Sequence, residues 1–208
     1  EVSNHKILGL TIDNSLLWST HIQNVSKNIA SKSYQLRKIK HFVTLQARKI
    51  FFTSYIQSSI DYASTLWDLA SNNLIKSVVS VHKRAVKLVV DKSSSLTAKD
   101  YQSINILPLR SKFLFNKGIL MHKILHGNAP PSLRNIFTVN KFRHSHTIDL
   151  PLPRITLFKS SLAYSGSWLW NRLPPSLKNE TNLHRFKALY HDFLMKHTNP
   201  ASLVPEMY

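Results

Sequence analysis

Apolar residues recur at helical spacing along most of the chain, and this periodicity predicts a mainly α-helical protein. The predicted helices cover about residues 19–40, 45–67, 73–90, 110–126 and 182–197. Shorter apolar runs predict a leading strand from His5 to Ile12, interrupted by Gly9, and a small hairpin within Ile155 to Ser165. The expected fold is therefore a helical bundle with a short leading strand, joined to a second helical module with a small β-hairpin.

A polar, serine-rich segment divides this pattern into two parts. Residues 92–99 read KSSSLTAK, which lacks the periodicity of the flanking helices and predicts a linker. Residues 1–91 then form one helical bundle, and residues 100–200 form a C-terminal helical module. The 208 residues are 43% hydrophobic, which is enough apolar material for each part to bury a core.

The helix predicted over residues 45–67 carries many aromatic residues and little charge in its middle, so we expect it to be a buried central helix. Thr44 is its expected N-cap. The longest candidate for a membrane span, from Ile50 to Ile60, is a charge-free run of 11 residues, whereas a membrane-spanning helix needs about 20. We therefore expect no membrane span.

The composition is strongly basic, with 28 Lys and Arg residues against 10 Asp and Glu residues and a formal net charge of +18. No acid occurs between Asp13 and Asp61 or between Asp100 and Asp149, and each of these stretches carries seven Lys or Arg residues. Cations without local counter-ions repel one another unless an anion binds, so this distribution predicts a polyanionic partner. Nucleic acid is the first expectation, and an acidic membrane surface is the second.

The sharpest basic feature is a row of cations along the helix predicted over residues 73–90. It contains Lys76, Lys83 and Lys87, at positions i, i+7 and i+11, with Arg84 beside them. This spacing places the side chains on one face of the helix, where they can contact phosphates.

A second row, formed by Lys27, Tyr34 and Lys38, lies along one face of the first predicted helix. A basic row that contains an aromatic ring suits contact with phosphates and with bases or sugars, and a solvated helix face explains the same pattern equally well. Arg48 and Lys49 occur in the first turn of the next helix, where free backbone N–H groups also favour a phosphate.

The residues needed for several kinds of chemistry are missing. Cysteine is absent, which excludes disulfides, thiolate metal sites and a cysteine nucleophile. The ten acids are scattered singly, without the closely spaced carboxylates that hold two Mg²⁺ ions. His122 and His126 have the i, i+4 spacing of a zinc pair, and His144 and His146 could add ligands, but surface or RNA-contacting roles are the stronger alternative. We expect no cofactor and no catalysis by this chain alone.

A series of short motifs follows, in order, the pattern of one known family. KILGLTID at residues 6–13, then LW and HI, resembles KxLGxxxD…LxWxxHI. SYI and DYA with Trp67 resemble SYIxPxLDYAxxxW, and HKRAVKL at 82–88 resembles QKRAxRxI. Later matches are LPLR at 107–110, MHKI at 121–124, PPSL at 130–133, RHSHT at 143–147, WNRLP at 170–174 and FK at 186–187. The chain thus resembles non-LTR (LINE-type, jockey-like) retrotransposon reverse transcriptases beyond their catalytic palm.

The resemblance implies the end of the palm, the thumb and the downstream region of an RNA-directed DNA polymerase. Residues 1–91 would be a thumb-like bundle that holds a template–primer duplex against a palm region upstream. The family's catalytic Asp-Asp motif would precede Glu1, so Mg²⁺ is expected only in that palm. The family often has proline where this chain has Ser58, so the helix here is expected to run unkinked. Leu8 and Gly9 are expected to bring backbone close to the primer strand.

Together, the basic rows and the resemblance predict sequence-independent binding of RNA or an RNA–DNA duplex. The expected nucleic-acid-binding residues are Lys27, Tyr34, Lys38, Arg48, Lys49, Lys76, Lys83, Arg84 and Lys87. Two alternatives stay open: an inert transposon-derived remnant, and a protein-interaction scaffold that docks a partner through the aromatic patch around Trp168 and Trp170. A nuclear or cytoplasmic location is expected for a retrotransposon protein.

Overall fold

The computed structural model describes residues 4–142 and 145–196. The protein is mainly α-helical and contains small antiparallel hairpins, which confirms the predicted fold class. The chain divides into two compact units, Glu1–Leu109 and Arg110–Tyr208. This division places residues 92–99, interpreted above as a linker, inside the first unit.

The first unit is built around two long helices. Its elements are β1 (Asn4–Ile7), β2 (Leu10–Asp13), α1 (Ser19–Ile39), α2 (Leu45–Phe51), a π-helix (Phe52–Gln57), α3 (Ser58–Asp61), α4 (Ser64–Trp67), α5 (Asn72–Val90) and α6 (Ala98–Ile104). Helices α1 and α5 pack against each other, and both contact the π-helix. The apolar periodicity explains this packing, because Ile22, Ile29 and Leu36 of α1 are buried, as are Val78 and Ala85 of α5.

The segment 92–99 is tied to the first unit through the start of α6. The Thr97 side chain accepts a hydrogen bond from the Asp100 N–H, and the Asp100 carboxylate accepts one from the Thr97 N–H, which together form a capping box. Lys92 lies 2.6 Å from the same carboxylate. The hydrogen bonds from Lys92 and Thr97 lower the pKa of Asp100 to about 2. Serine-rich composition alone does not reveal these contacts.

Strands β1 and β2 form an antiparallel hairpin, and the prediction of one strand with a bulge at Gly9 is wrong. Ile7 pairs with Leu10, so the loop consists of Leu8 and Gly9, whose φ angles are 47° and 84°. A two-residue loop with positive φ at both positions matches the right-handed twist of paired strands. Leucine rarely adopts positive φ, and for this reason the residue pattern did not indicate a turn.

The helix predicted over residues 45–67 is interrupted, and the expectation of an unkinked helix is wrong. The backbone passes from α2 into the π-helix, and at Ala63 it enters the left-handed region with a φ of 50°. Four hydroxyl groups bond back to carbonyls of the preceding turn; they belong to Thr53, Ser54, Ser58 and Ser59. Such bonds compete with the regular helical ladder and bend helices. The N-cap prediction is confirmed, because the Thr44 hydroxyl accepts from the Ala47 N–H at 3.2 Å.

The second unit also consists mainly of helices. Its elements are α7 (Leu109–Leu125), α8 (Pro131–Arg134), β3 (Val139–Phe142), β4 (Ser145–Ile148), α9 (Thr156–Lys159), α10 (Leu162–Arg172), α11 (Pro175–Lys178) and α12 (Leu183–Lys196). Its largest fully buried side chains are Met121, Trp170, Phe186 and Tyr190. The core therefore takes residues from α7, α10 and α12.

The hairpin of the second unit is β3–β4, and its predicted position within Ile155 to Ser165 is wrong. That segment contains α9 and the first turn of α10, because the Ser161 side chain accepts from the Tyr164 N–H and caps the helix. The true hairpin is fastened to α10 by one side chain. The Asn171 amide accepts from the Ile148 N–H and donates to the Ile148 carbonyl, each at 2.8 Å.

Among the described residues, no helix has both the length and the apolar character needed to cross a membrane.

Gly118 of α7 packs directly against the ring of Tyr190. A Cβ atom at position 118 would meet Cε1 of Tyr190 far inside van der Waals contact, and the ring is held because its hydroxyl donates to the Leu114 carbonyl at 3.0 Å. Alanine ordinarily stabilises a helix more than glycine does. We nevertheless expect Gly118→Ala to lower the free energy of unfolding by roughly 1–3 kcal/mol, because the added Cβ overpacks against the Tyr190 ring. Urea unfolding measures the change.

Gly166→Ala is the matched control for this substitution. Its added Cβ would lie 2.5 Å from the Met121 sulfur, and an unbranched thioether chain adjusts more easily than a pinned aromatic ring. Gly118→Ala should therefore lower the free energy of unfolding more than Gly166→Ala does. Equal stability of Gly118→Ala and the unchanged protein would contradict the packing.

Candidate nucleic-acid interface

The cationic row predicted on α5 lies on the solvent-exposed side of that helix. We call Lys76, Lys83, Arg84 and Lys87 the α5 row. The first three side chains are exposed, and none of them forms an ion pair within the described residues. Lys87, in the last turn, is half-buried, and its Nζ donates to the Ser93 carbonyl at 3.2 Å. Three cations of the α5 row are therefore open to an external anion.

The second predicted row, which we call the α1 row, consists of Lys27, Tyr34 and Lys38. All three side chains are exposed, and 56% of the Tyr34 side-chain surface is accessible. The Lys38 ammonium lies 5.2 Å from the centre of the Tyr34 ring, which is a cation–π contact. The α1 row thus offers two cations and one aromatic face to solvent.

The two rows point in different directions. At about 3.6 residues per turn, the α1 row lies on the side of α1 opposite its buried residues, and the α5 row likewise lies opposite the buried side of α5. Because the two helices pack together through their buried sides, their exposed rows face away from each other. One straight duplex cannot lie along both rows at once.

Arg48 is engaged within the first unit. Its guanidinium donates to the Leu88 carbonyl at 3.5 Å and lies 3.8 Å from the Asp91 carboxylate, and only 14% of its side chain is exposed. Lys40 approaches the same carboxylate at 2.6 Å. Asp91 therefore joins the C-terminal ends of α1 and α5 to α2. Lys49, the neighbour of Arg48, is half-buried.

These contacts correct one inference from the charge distribution. The stretch between Asp13 and Asp61 lacks acids in sequence, yet two of its cations meet Asp91 in space. A third cation, Lys32, donates to the Tyr55 carbonyl at 2.8 Å and lies 4.2 Å from the centre of the Tyr55 ring. Sequence-local charge thus overstates the number of cations left for a partner, because ion pairs form across distant segments.

Leu8 and Gly9 form the tip of the β1–β2 hairpin, beside Tyr62. The Tyr62 hydroxyl donates to the Leu8 carbonyl, and a Cβ at Gly9 would lie 3.7 Å from the Tyr62 ring. The Leu8 side chain is 84% exposed. The backbone predicted to approach a primer is therefore already in contact with Tyr62, while the side chain of Leu8 projects outward.

His82, within the HKRAVKL motif, faces the core and not the α5 row. Its Nε2 donates to the Gln57 side-chain oxygen at 3.0 Å, and the Gln57 amide donates to Asp61 at 2.9 Å. Complete burial lowers the pKa of His82 to about 3, so it stays neutral near pH 7. This polar chain connects α5 to the π-helix and gives the motif histidine a structural role.

The Trp168–Trp170 patch proposed for a scaffold is mostly internal. Trp170 is 1% exposed and belongs to the core of the second unit. Trp168 is half-buried, stacks on Tyr164 with ring centres 6.0 Å apart, and carries the Arg172 guanidinium at 3.4 Å from its ring centre. Both rings therefore already have partners within the fold.

The His122–His126 pair packs as two stacked rings with centres 4.1 Å apart. His122 is buried, and its Nε2 donates to the Glu180 carbonyl at 2.8 Å, while Nδ1 of His126 donates to the His122 carbonyl at 2.9 Å. Burial lowers the pKa of His122. In the described part of the chain, no three His, Asp or Glu side chains group as metal ligands. His144 and the side chain of His146 lie outside the described residues.

Comparison of the chain with protein-family models, with curated proteins and with solved structures finds no match. The resemblance to reverse transcriptases therefore remains an interpretation of the motifs.

Asp91→Asn should remove a pH-dependent contribution to stability. The hydrogen bond from Lys40 holds the pKa of Asp91 below its usual value, so the contribution is present above the unfolded pKa of about 3.9 and is lost as the pH falls through the folded pKa. Asparagine tolerates the left-handed backbone at this position. We expect the variant to be less stable at pH 7 and the difference to shrink as the pH falls below the unfolded pKa of about 3.9, as measured by urea unfolding.

Two lysines near the end of α1 provide the control for that experiment. Lys40→Met should reproduce the loss at pH 7, whereas Lys38→Met, which removes a cation without a carboxylate partner among the described residues, should change stability little. Parallel pH curves for Asp91→Asn and the unchanged protein would show that the ion pairs do not contribute.

Proposed function

We propose that this chain is the nucleic-acid-binding C-terminal part of an RNA-directed DNA polymerase of the non-LTR retrotransposon type. In this proposal the first unit holds a template–primer duplex, RNA–DNA or RNA, for a catalytic palm supplied by residues upstream. The chain contributes no catalytic carboxylates, and the Mg²⁺ ions of polymerisation belong to that palm. The motifs support the family, and the exposed cations support the binding.

The observation that carries the proposal is the α5 row. Lys76, Lys83 and Arg84 are exposed and unpaired within the described residues, on a helix that contains no acid. Between Lys76 and Lys87 the helix rises about 16 Å at 1.5 Å per residue, which is enough to meet several phosphates of one strand. Lysine and arginine bind phosphate oxygens without reading bases, so such a row favours sequence-independent contact.

In this proposal the predicted residues do not all belong to one binding surface. The α1 row faces away from the α5 row, and Arg48 is occupied by Asp91 and the Leu88 carbonyl. We therefore place the duplex along the α5 row. The α1 row, with the exposed Tyr34 ring, then suits a single-stranded segment, because an aromatic face stacks on an unpaired base.

The first test measures binding of an RNA–DNA duplex as a function of salt. If the four cations of the α5 row meet phosphates, the logarithm of affinity should fall with the logarithm of salt at a slope of about −3 to −4. Replacing Lys83, Arg84 and Lys87 together with Gln should weaken binding of all sequences alike and reduce the slope by about 2 to 3. Fluorescence anisotropy over a range of salt concentrations gives both quantities.

The control triple removes the same charges from the second unit. Arg154, Lys187 and Lys196 are exposed, and together they match the two lysines and one arginine of the test triple. Their replacement by Gln should leave most of the affinity and slope intact. If both triples reduce affinity equally, binding reflects only the net charge of +18, and the assignment to α5 is wrong.

A second test separates the two rows of the first unit. Lys27→Gln with Lys38→Gln removes two cations from the α1 row and leaves the α5 row intact. We expect this pair to change duplex affinity little and to weaken binding of a duplex that carries a single-stranded overhang, because the rows face opposite sides. Equal weakening of blunt and overhanging duplexes would place the α1 row on the duplex itself. Thermal unfolding of each variant checks that the fold is retained.

A further inference from the structure

A cavity of about 270 Å³ lies wholly within the second unit. Its polar lining comes from His126, which follows α7, from Arg134 and Lys178, which end α8 and α11, and from Thr181, which precedes α12. The apolar part of the lining includes Trp170 of α10. The volume lies slightly below the range of about 300 to 1,000 Å³ that is usual for ligand pockets, so the cavity suits a small ligand no larger than a single nucleotide.

Two basic side chains at the cavity form hydrogen bonds that leave some of their donors unused. The Lys178 ammonium donates to the Asn171 carbonyl at 2.7 Å, and the residue is only 9% exposed. The Arg134 guanidinium donates to the Leu125 carbonyl at 3.1 Å. An ammonium has three donors and a guanidinium has five, so each can also bind an anion. Burial lowers the pKa of Lys178, which an anion in the cavity would counteract.

His126 offers one free ring nitrogen to the same cavity. A carbonyl can only accept, so the contact with the His122 carbonyl fixes the His126 proton on Nδ1. Nε2 is then the atom left to accept a hydrogen bond from a ligand.

Among the residues that the structure describes, no carboxylate lines the cavity to neutralise these groups. The nearest acid in sequence is Glu180, beside Thr181, and its carboxylate is already engaged. It accepts from the Asn182 N–H at 2.8 Å and lies 3.4 Å from the Arg185 guanidinium. The cavity thus combines a cationic lining with an apolar wall, which is the combination expected of a site for an organic anion.

We propose that this cavity binds a phosphate-bearing ligand of nucleotide size, with Arg134 and Lys178 on the phosphate and with His126 and the Trp170 side of the cavity against the remainder. The ligand is a free nucleotide or the phosphorylated end of a nucleic-acid strand. The site lies in a different unit from the α5 row and does not depend on the proposed duplex binding.

Isothermal titration calorimetry of the full chain with adenosine monophosphate, adenosine and inorganic phosphate tests the proposal. We expect the monophosphate to bind at least about tenfold more tightly than adenosine, because charge-assisted hydrogen bonds to the phosphate are lost in the nucleoside. Inorganic phosphate should bind more weakly than the monophosphate, because it leaves the apolar wall empty. Adenosine binding as tightly as the monophosphate would overturn the proposal.

Three variants locate the binding. Arg134→Gln and Lys178→Met should each weaken the monophosphate about tenfold, whereas Lys187→Gln, which removes an exposed cation of α12, should not. Equal affinity in all three variants, or no binding by the unchanged chain at millimolar ligand, would overturn the site. Arg134 is exposed, so its substitution tests the cavity even where Lys178→Met affects folding.

A competition experiment distinguishes the two sources of the phosphate. A 5′-phosphorylated dinucleotide that displaces the monophosphate as well as the monophosphate itself does would assign the cavity to a strand end. Weaker displacement would assign it to a free nucleotide, because the second residue would not fit. The α5 triple variant should leave both results unchanged, so failure of the proposed function and failure of this site are separable.

Discussion

A shortage of carboxylates is the constraint on which the rest of this structure depends. With 28 cationic side chains and 10 acids, most cations have no acid to pair with. The described acids lie mainly at joints of the backbone: Asp13 before α1, Asp91 after α5, Asp100 at the start of α6 and Glu180 before α12. Each stabilises a helix end or holds several elements together. The exposed sides of α1 and α5 are consequently left cationic, and the net charge is concentrated where a polyanion can approach.

The same placement of acids links the two binding surfaces proposed above. In the first unit Asp91 pairs with Arg48 and Lys40, and the cations of the two rows are left without an acidic partner among the described residues. In the second unit Glu180 forms an ion pair with Arg185. The partner of Lys178 among the described residues is the Asn171 carbonyl. In both units, basic side chains without an acidic partner among the described residues therefore face solvent or line a cavity. Asn171 adds a mechanical connection, because its side chain holds β4 while its carbonyl holds Lys178 at the cavity.

The residue pattern predicts those features that depend on local periodicity and fails where distant contacts decide. The spacing of apolar residues alone predicts the long helices α1 and α5 and the α5 row, because buried positions recur along them every three or four residues. The break after α2 depends on hydroxyl groups that bond to the backbone, and apolar spacing does not register it. The pairing of Arg48 with Asp91 joins residues 43 positions apart (91 − 48), and the cavity gathers residues from 125 to 181, so neither is visible in a local pattern. In the sequence, the cavity is indicated only by Arg134 and Lys178, two basic residues that form no ion pair among the described residues.

The positive φ angle of Leu8 lowers the stability of the first unit. A residue other than glycine in the left-handed region costs about 1–2 kcal/mol, and here an exposed leucine occupies it. The Tyr62 hydroxyl donates to the backbone carbonyl of Leu8, so this hydrogen bond does not depend on which side chain is present at position 8. Position 8 is therefore free to vary without loss of the fold, and glycine or asparagine would relax the backbone there. The exposed Leu8 side chain therefore contributes apolar surface at the hairpin tip and is not needed for the tip to fold.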